Sequence, residues 1–436
     1  MPHKNFKELV SLCRNSNWFP NVEKPDALGH VGAPLELLIL GSLRYLGRGW
    51  TFDDLEEATD IGEETHRRFF HDFVKVGGTH LFKKWVTVPT TKEEIEDCMF
   101  EFKQAGFNGC VGSSDATHVI HERVSARLKN NHLGGKAAQT TRAFNITVNH
   151  RRRILATSPS CPGRWNDKTL IRYDQFLTMI NEGQLYEDVE FTLYDGNTGA
   201  ERPLRGCWIL VDNGYLKWPC TIPPMKDASL VTEQRWSKWL ESMRKDVECT
   251  FGIMKGRWRI LKVGIRVGPK QVDNIWRTCC ALHNWLLEVD GLTAQWKEGV
   301  ERPEGAACSD YMGDMGEHAE EDRGRTAAMH ANDTENMEYD TSGMGRGNVD
   351  EDVSESEWIN DMDEAGWVPV NDAAAPAPTT AAPAPSRTKH INELGFDKFR
   401  GRLINHFNYM WQQRQVVWPS RTGTGIPYGW DQDMLV

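Results

Sequence analysis

A fully apolar run, Cys-Trp-Ile-Leu-Val at 207–211, ends on Asp212 and is followed by the turn-forming residues Asn213 and Gly214. A short apolar run bounded by turn residues predicts a buried strand. Around it, from about 108 to 290, strand patterns come first and then alternate with helical ones. Strand and helix patterns in this order predict an α/β domain with a mixed sheet.

The remaining elements of this domain follow from local patterns. The strings VGSSDATHVI, AFNITVN and RILATSP predict strands, and the last two form a hairpin across the basic turn 150–153. WNDKTLIRYDQFLTMI predicts one helix, capped near Asn166 or Asp167. RWSKWLESMRKDVECTFGIMKGRW predicts a second helix.

The segment from about 34 to 78 predicts three short helices. Thr51 suits the cap of the second, with Asp54 at the third helical position, and Gly77-Gly78 is expected to end the third. Two helices joined by a tight turn are typical of a helix-turn-helix. The second helix is acidic, whereas Arg67 and Arg68 of the third would attract phosphates. Two interpretations stay open: a DNA contact, or a structural or dimerising bundle.

The net charge of −11 averages unlike parts of the chain. Residues 1–300 hold 40 Lys and Arg against 37 Asp and Glu, residues 301–380 hold 4 against 21, and residues 381–436 hold 7 against 4. The acidic stretch cannot bury enough apolar surface to offset its ordering entropy, so 297–386 is predicted to be disordered. Residues 387–436 regain helical spacing. No apolar run is long enough for a membrane span, and the ten cysteines lack the C-x-x-C pairs of a zinc site.

Three acids stand out by position. Asp115 lies within a strand among small residues, Asp212 ends the apolar strand, and Glu248 lies on a helix. Arg244 and the cations Lys255 and Arg259 follow the same helix face as Glu248. A carboxylate for a metal beside cations for phosphates suits a polyanionic substrate. Each acid also has an ordinary interpretation: a strand-end Asp as a turn or cap residue, and Glu248 as the ion-pair partner of Arg244.

Basic segments flank these acids on both sides. Residues 121–153 hold eight Lys and Arg against one acid, and residues 244–270 hold eight against two. This balance favours a phosphodiester substrate over a sugar or a peptide. The expected DNA contacts are Arg67, Arg68, Arg151, Arg152, Arg153, Lys255, Arg257 and Arg259.

Four strings, GCVGSSDATHVI, CPGRWNDKTL, WILVDNGYL and RKDVECTFGIMKGRWRIL, occur in this order over about 108–290. They resemble the successive motifs of the PIF/Harbinger superfamily of transposases, which includes harbinger transposase-derived nucleases. The helix-turn-helix-like segment before them also has a counterpart in that family. The resemblance implies an RNase H-like catalytic domain with flanking helices, in which adjacent strands carry two Asp and a helix on the sheet carries a Glu.

The resemblance makes Asp115, Asp212 and Glu248 a DDE triad that is both catalytic and metal-binding. Between the last two lie 35 residues, a spacing familiar from integrase-like enzymes. Arg244 matches the arginine one turn before the family glutamate, and Asp167 matches a further acid beside the triad. The implied cofactor is a pair of Mg²⁺ ions about 3.5–4 Å apart, with Mn²⁺ as an alternative.

Function and organisation follow from these expectations. The leading interpretation is a transposase-like endonuclease that cuts and joins DNA. A domesticated, non-catalytic DNA- or protein-binding descendant and an unrelated metal-dependent phosphoesterase are the alternatives. The resemblance also implies transposon-end and target DNA as partners, a Myb-like DNA-binding protein, a homo-oligomer and a nuclear location. The expected domains are 1–100 (helical), 105–295 (endonuclease), 297–386 (linker) and 387–436 (C-terminal helical segment).

Overall fold

A computed structural model describes residues 1–25, 27–134, 139–289 and 388–417, which belong to one compact unit. The predicted disorder of 297–386 therefore lies outside the described residues, as does the end of the chain from 418. In the described ranges, no helix is both long enough and apolar enough to cross a bilayer.

Six helices come first in the described chain, and strands mixed with helices follow. The helices are α1 (His3–Asn15), α2 (Leu35–Arg48), α3 (Phe52–Thr59), α4 (Glu63–Val76), α5 (Phe82–Trp85), α6 (Lys92–Gln104), α7 (Lys129–His132), α8 (Asp167–Leu170), α9 (Gln175–Asn181), α10 (Val231–Arg257), α11 (Ile260–Val263), α12 (Pro269–Val289), α13 (Ile391–Leu394) and α14 (Phe396–Gln412). The strands are β1 (Cys110–Ile120), β2 (Thr141–Val148), β3 (Ile154–Thr157), β4 (Cys161–Pro162), β5 (Glu190–Tyr194), β6 (Glu201–Arg205), β7 (Trp208–Leu210), β8 (Thr221–Ile222) and β9 (Lys389–His390).

The central sheet is mixed, as the sequence predicts. Its strand order is β3-β2-β1-β7-β8, and β4 pairs with β2. β2 is antiparallel to β1 and to β3, whereas β7 is parallel to β1 and to β8. The predicted hairpin across 150–153 is confirmed as β2 and β3. A mixed sheet among many helices is consistent with a DDE nuclease fold.

The N-terminal helices pack into the same core as one face of this sheet. The three predicted helices are α2, α3 and α4, and Thr51 and Asp54 form the expected capping box at the start of α3. Apolar residues of these helices, such as Phe70 and Phe73, share one cluster with Phe144 of β2 and Trp276 of α12. The helices therefore rest on the body of the protein through a continuous apolar core.

Two sequence-based expectations about helix ends are wrong. Gly77 and Gly78 do not end the helix, because a π-helical turn over Gly77–Leu81 continues from α4 into α5. Any Cβ on Gly77 would lie 2.4 Å from Thr278, so these glycines allow close packing against α12. The single helix expected over 165–180 is divided into α8 and α9, because the side chain of Asp174 accepts the N–H of Leu177 and begins a new helix.

A second sheet binds the C-terminal segment to the body. Its order is β5-β6-β9, so the strand that precedes α13 pairs with β6 from the middle of the chain. Phe407 of α14 stacks on Phe107 at 5.7 Å between ring centroids and also contacts Trp239 of α10. The helical expectation for this segment is confirmed for residues 396–412, and the helix docks on the body itself.

Candidate active site

Asp115 and Asp212 come to the same level of two neighbouring strands. β1 and β7 are parallel, and Ser113 of β1 is in register with Leu210 of β7. Asp115 and Asp212 each lie two residues beyond this pair, Asp115 within β1 and Asp212 just after the end of β7, so the two acids lie near the same edge of the sheet. The apolar run ends there because the chain leaves the core at Asp212, which is half-buried.

Asp115 is a half-buried acid whose charge is only partly compensated. Its Oδ2 accepts a hydrogen bond from Arg244 Nη1 at 2.8 Å, and its Oδ1 accepts one from the N–H of Ala116 at 2.9 Å. Burial raises the pKa of Asp115 to about 6, and the charge of Asp212 adds to the rise, although Arg244 acts in the opposite direction. The charge of Asp212 is thus close enough to oppose the ionisation of Asp115.

Glu248 reaches this site through Arg244. Both residues lie on α10, which packs across β1, and they are one turn apart. Arg244 Nη2 donates to Glu248 Oε1 at 2.7 Å while Nη1 of the same guanidinium holds Asp115. The side chain of Arg244 is 16% exposed and that of Glu248 is 47% exposed. The ion pair between Glu248 and Arg244 that the sequence suggested is therefore present. Because Arg244 also pairs with Asp115, the same guanidinium links α10 to β1.

Asp167 is next to Asp212, across the glycine of the Asp-Asn-Gly-Tyr turn. The N–H of Gly214 donates to Asp212 Oδ1. A Cβ at Gly214 would lie 2.4 Å from Asp167 Oδ2 and 2.8 Å from Asp212 Oδ1, so only glycine fits between the two carboxylates. The start of α8 thereby brings a further acid to the edge of the sheet where Asp115 and Asp212 lie.

Buried polar side chains that the sequence did not single out support this edge. The hydroxyl of Tyr215 donates to Asn145 Oδ1 at 2.5 Å, and Asn145 Nδ2 donates to Ser114 Oγ at 3.0 Å and to Asp174 Oδ2 at 2.6 Å. Ser114 and Tyr215 are close in sequence to Asp115 and Asp212, respectively. The network therefore fixes the strand and the turn that carry the two acids. The sequence offered one signal, the Tyr that ends the Asp-Asn-Gly-Tyr string.

The basic turn 150–153 does not offer its arginines to solvent as expected. Arg151 is 3% exposed and pairs with Glu101 at 2.5 Å and with Asp97 at 2.7 Å. Such an enclosed and compensated guanidinium is not available to a DNA phosphate, so the prediction for Arg151 is corrected.

Its two neighbours in the turn are engaged in a similar way. Arg152 pairs with Asp246 of α10 at 3.2 Å, and Arg153 pairs with Glu288 of α12 at 2.7 Å. Asp246 also holds His150 at 2.5 Å. The arginines of this turn therefore join the hairpin to the neighbouring helices through ion pairs with acids that are distant in sequence.

The other expected DNA contacts are closer to the surface. Lys255 Nζ donates to the carbonyl of His118 on β1 at 3.0 Å, and burial lowers the pKa of Lys255. Arg257 is half-buried at the end of α10. Arg259 is exposed, but it lies beyond the end of that helix, so it does not continue the helix face as expected.

Arg67 and Arg68 are exposed on α4, and both pair with Glu64 of the same helix. Their positive charge is therefore partly offset, and they are less strongly attractive to phosphates than the sequence suggested.

The acids at this edge of the sheet resemble a divalent-cation site in their chemistry. Their carboxylate oxygens are the ligands that Mg²⁺ and Mn²⁺ prefer. Burial raises the pKa of Asp115 and the charge of Asp212 raises it further, so a nearby cation would favour the ionised form of this acid. However, the described residues contain no group of three or more His, Cys, Asp or Glu side chains already arranged to hold a metal. The carboxylates are therefore of the right chemical type to bind a divalent cation. In this structure the guanidinium of Arg244 lies between Asp115 and Glu248.

Residues 114–284 match the family model described as DDE superfamily endonuclease. Asp115, Asp212 and Glu248 all lie inside the matched stretch, and so do Asp167 and Arg244. The match supports a DDE transposase-like nuclease. No curated protein and no solved structure matches the chain.

Proposed function

We propose that this protein is a DNA endonuclease of the transposase type, of the PIF/Harbinger kind, with an RNase H-like catalytic domain. One observation carries the proposal. Asp115 lies on β1 and Asp212 follows the end of the parallel neighbour β7, and Glu248 of α10 is joined to Asp115 through Arg244. Two strand acids and one helix acid on one side of a sheet are the arrangement expected of a DDE triad.

Asp115, Asp212 and Glu248 would hold one or two divalent cations, with Asp167 beside them. When bound, such cations neutralise charge at the scissile phosphate and favour attack by water or by a DNA 3′-hydroxyl. Asp115 is ionised at neutral pH but loses its charge below about pH 6. Cutting should therefore decline as the pH falls through this value.

Arg244 has a positioning role in this proposal. Its two terminal nitrogens hold the strand acid and the helix acid at a fixed separation, and its guanidinium is half-buried between them. If the carboxylates held a cation, the N–H groups of the guanidinium could instead donate to a phosphate oxygen, for which this fork of donors is well suited. No covalent protein nucleophile is needed.

A non-catalytic descendant is the second candidate, and a specific observation favours it. Arg244 neutralises both Asp115 and Glu248, and the described side chains contain no ready-made group of three metal ligands. A protein that kept the fold only to bind DNA would tolerate this closed arrangement.

The deciding experiment combines cation binding with cutting. The full chain is titrated with Mn²⁺ by calorimetry and incubated with supercoiled plasmid DNA and Mg²⁺. The endonuclease proposal expects saturable Mn²⁺ binding that Glu248→Gln weakens, together with Mg²⁺-dependent nicking. Tight DNA binding with neither Mn²⁺ binding nor nicking would favour the non-catalytic descendant.

The wider setting is also a proposal. DNA-cutting activity implies transposon ends and target DNA as substrates, and the resemblance to PIF/Harbinger transposases suggests a Myb-like DNA-binding partner, a homo-oligomer and a nuclear location. The domain boundaries 1–100, 105–295, 297–386 and 387–436 belong to the same proposal.

A further inference from the structure

A groove rich in arginine lies between the N-terminal helices and the chain that follows α10. Its volume is about 760 Å³, and it is lined by Arg48, Arg67, Arg123, Arg259 and Arg266, which we call the arginine groove. These arginines come from α2, α4, the link between α10 and α11, and the segments after β1 and α11. Because five separate parts of the chain converge on it, the groove is a feature of the tertiary fold.

The positive charge of the arginine groove is only partly compensated. Arg67 pairs with Glu64, and Arg266 pairs with Glu122 at 2.7 Å. Among the described residues, none forms an ion pair with Arg48, Arg123 or Arg259, all of which are exposed. The acids that line the groove are Asp53 and Glu63.

Aromatic side chains form part of the same wall. Trp50 and Phe52 line the groove, and the guanidinium of Arg44 lies 4.7 Å from the centroid of the Trp50 ring. Phe52 stacks on Tyr45 at 4.5 Å between ring centroids. Arginines interleaved with aromatic rings suit a ligand that carries both phosphates and planar bases.

Two elements lead from the candidate active site to the arginine groove. From Asp115, β1 continues to its end at Ile120, and the chain then reaches Arg123. The path from Asp115 to Arg123 is about 26 Å if it is extended. From Glu248, α10 continues for about 14 Å to its last residue, Arg257. Arg259 follows two residues later. Between the two ends, Lys255 of α10 donates to His118 of β1, so a basic side chain marks the path.

We propose that the arginine groove binds the phosphate backbone of the same DNA whose scissile phosphate lies at Asp115, Asp212 and Glu248. These path lengths of roughly 14 and 26 Å along the two elements correspond to about four to eight nucleotide steps of 3.4 Å. Arg48, Arg123 and Arg259 contact the backbone at that distance from the cut, and Trp50 and Phe52 contact the sugar or an unpaired base. The inference depends on the proposed function only for the choice of DNA as the ligand.

The test measures binding in EDTA, so that cutting does not enter. Fluorescence anisotropy of the full chain is recorded with a duplex of about 8 base pairs and one of about 24, over a range of salt concentrations. The variant replaces Arg48, Arg123 and Arg259 together by Ala. The matched control replaces Lys103, Arg202 and Arg402 by Ala, which removes the same charge from exposed positions that do not line the groove.

The groove variant should lose most of the affinity that the longer duplex adds. Each lost phosphate contact lowers the slope of log affinity against log salt by about 0.9, so the slope should fall by about two to three. The control should keep the slope of the natural chain. A single Arg123→Ala protein, expected to lower the slope by about one, provides the same test if the triple variant is unstable.

Two results would overturn the inference. One is a groove variant that retains the salt slope and length dependence of the natural chain. The other is binding of ATP that the groove variant loses while its affinity for the longer duplex is unchanged, which would make the groove a site for a small phosphate compound. An absence of nicking would contradict the proposed function but leave this binding result intact, so the two failures can be told apart.

Discussion

Replacing Asp115 by Asn should change how the stability of the protein depends on pH. Burial, with a smaller contribution from Asp212, raises the pKa of Asp115 to about 6, whereas an unfolded chain has a pKa of about 3.9. Between these values the native state binds a proton more tightly than the unfolded state. The free energy of unfolding should therefore fall as the pH rises through this window and should stay lower above it.

The size of the effect follows from the same two values. At 1.36 kcal/mol per pKa unit, Asp115 should cost the native state up to about 3 kcal/mol once the pH exceeds 6. The side chain is 20% exposed, so solvent screening makes this an upper limit. Asn keeps the shape but cannot ionise. The variant should therefore gain stability relative to the natural protein on going from about pH 4 to about pH 7.5.

The assay is urea unfolding at several pH values in EDTA, with Asp227→Asn as a control that removes an exposed carboxylate. The difference between the Asp115→Asn and natural curves should widen by about 1–3 kcal/mol between pH 4 and 7.5. The Asp227→Asn difference should stay flat. Parallel curves for Asp115→Asn and the natural protein would show that burial and the charge of Asp212 do not destabilise the ionised acid, and the reasoning from the raised pKa of Asp115 would fail.

Three further predictions concern the surroundings of the site. Arg244→Ala should lower the nicking rate without abolishing it. Arg244→Lys should not restore the natural rate, because an ammonium cannot bridge Asp115 and Glu248 as a planar guanidinium does. Equal nicking rates for the two variants and the natural protein would contradict the positioning role of Arg244. Tyr215→Phe should lower the free energy of unfolding by about 1–2 kcal/mol, because Asn145 loses a buried donor; an unchanged urea midpoint would remove Tyr215 from the supporting network. Deleting 301–380, with its excess of 17 negative charges, should raise DNA affinity most at low salt and leave nicking intact; loss of nicking in a folded deletion protein would contradict this.

The strands and acids of the candidate active site could be predicted because they depend on local patterns. The apolar run before Asp212, the small residues around Asp115 and the helical spacing around Glu248 each constrain a single element. Their meeting also follows from a general rule, since the carboxyl ends of parallel neighbours share one edge of a sheet.

The roles of the basic residues could not be predicted in the same way. Counting charges treats Arg151 as a surface cation, but its partners Asp97 and Glu101 are about fifty residues away in sequence. The arginine groove was missed for the converse reason, because Arg48 lies outside both basic segments and meets Arg123, which is distant in sequence, only in the folded chain. The division of α8 from α9 likewise depends on Asp174, whose buried position the helical pattern did not reveal.

The most direct test of the proposed site is the single-turnover rate of DNA nicking in Mg²⁺ by Asp212→Asn. This variant keeps the shape of the side chain but removes the charge of a proposed metal ligand. Its rate should fall at least about 100-fold, since metal-assisted charge stabilisation is worth several kcal/mol. Its affinity for the same DNA in Ca²⁺ should remain close to that of the natural chain, and the exposed-site control Asp188→Asn should nick normally. An Asp212→Asn protein that nicks at the natural rate would contradict the assignment of Asp115, Asp212 and Glu248 as the cutting site.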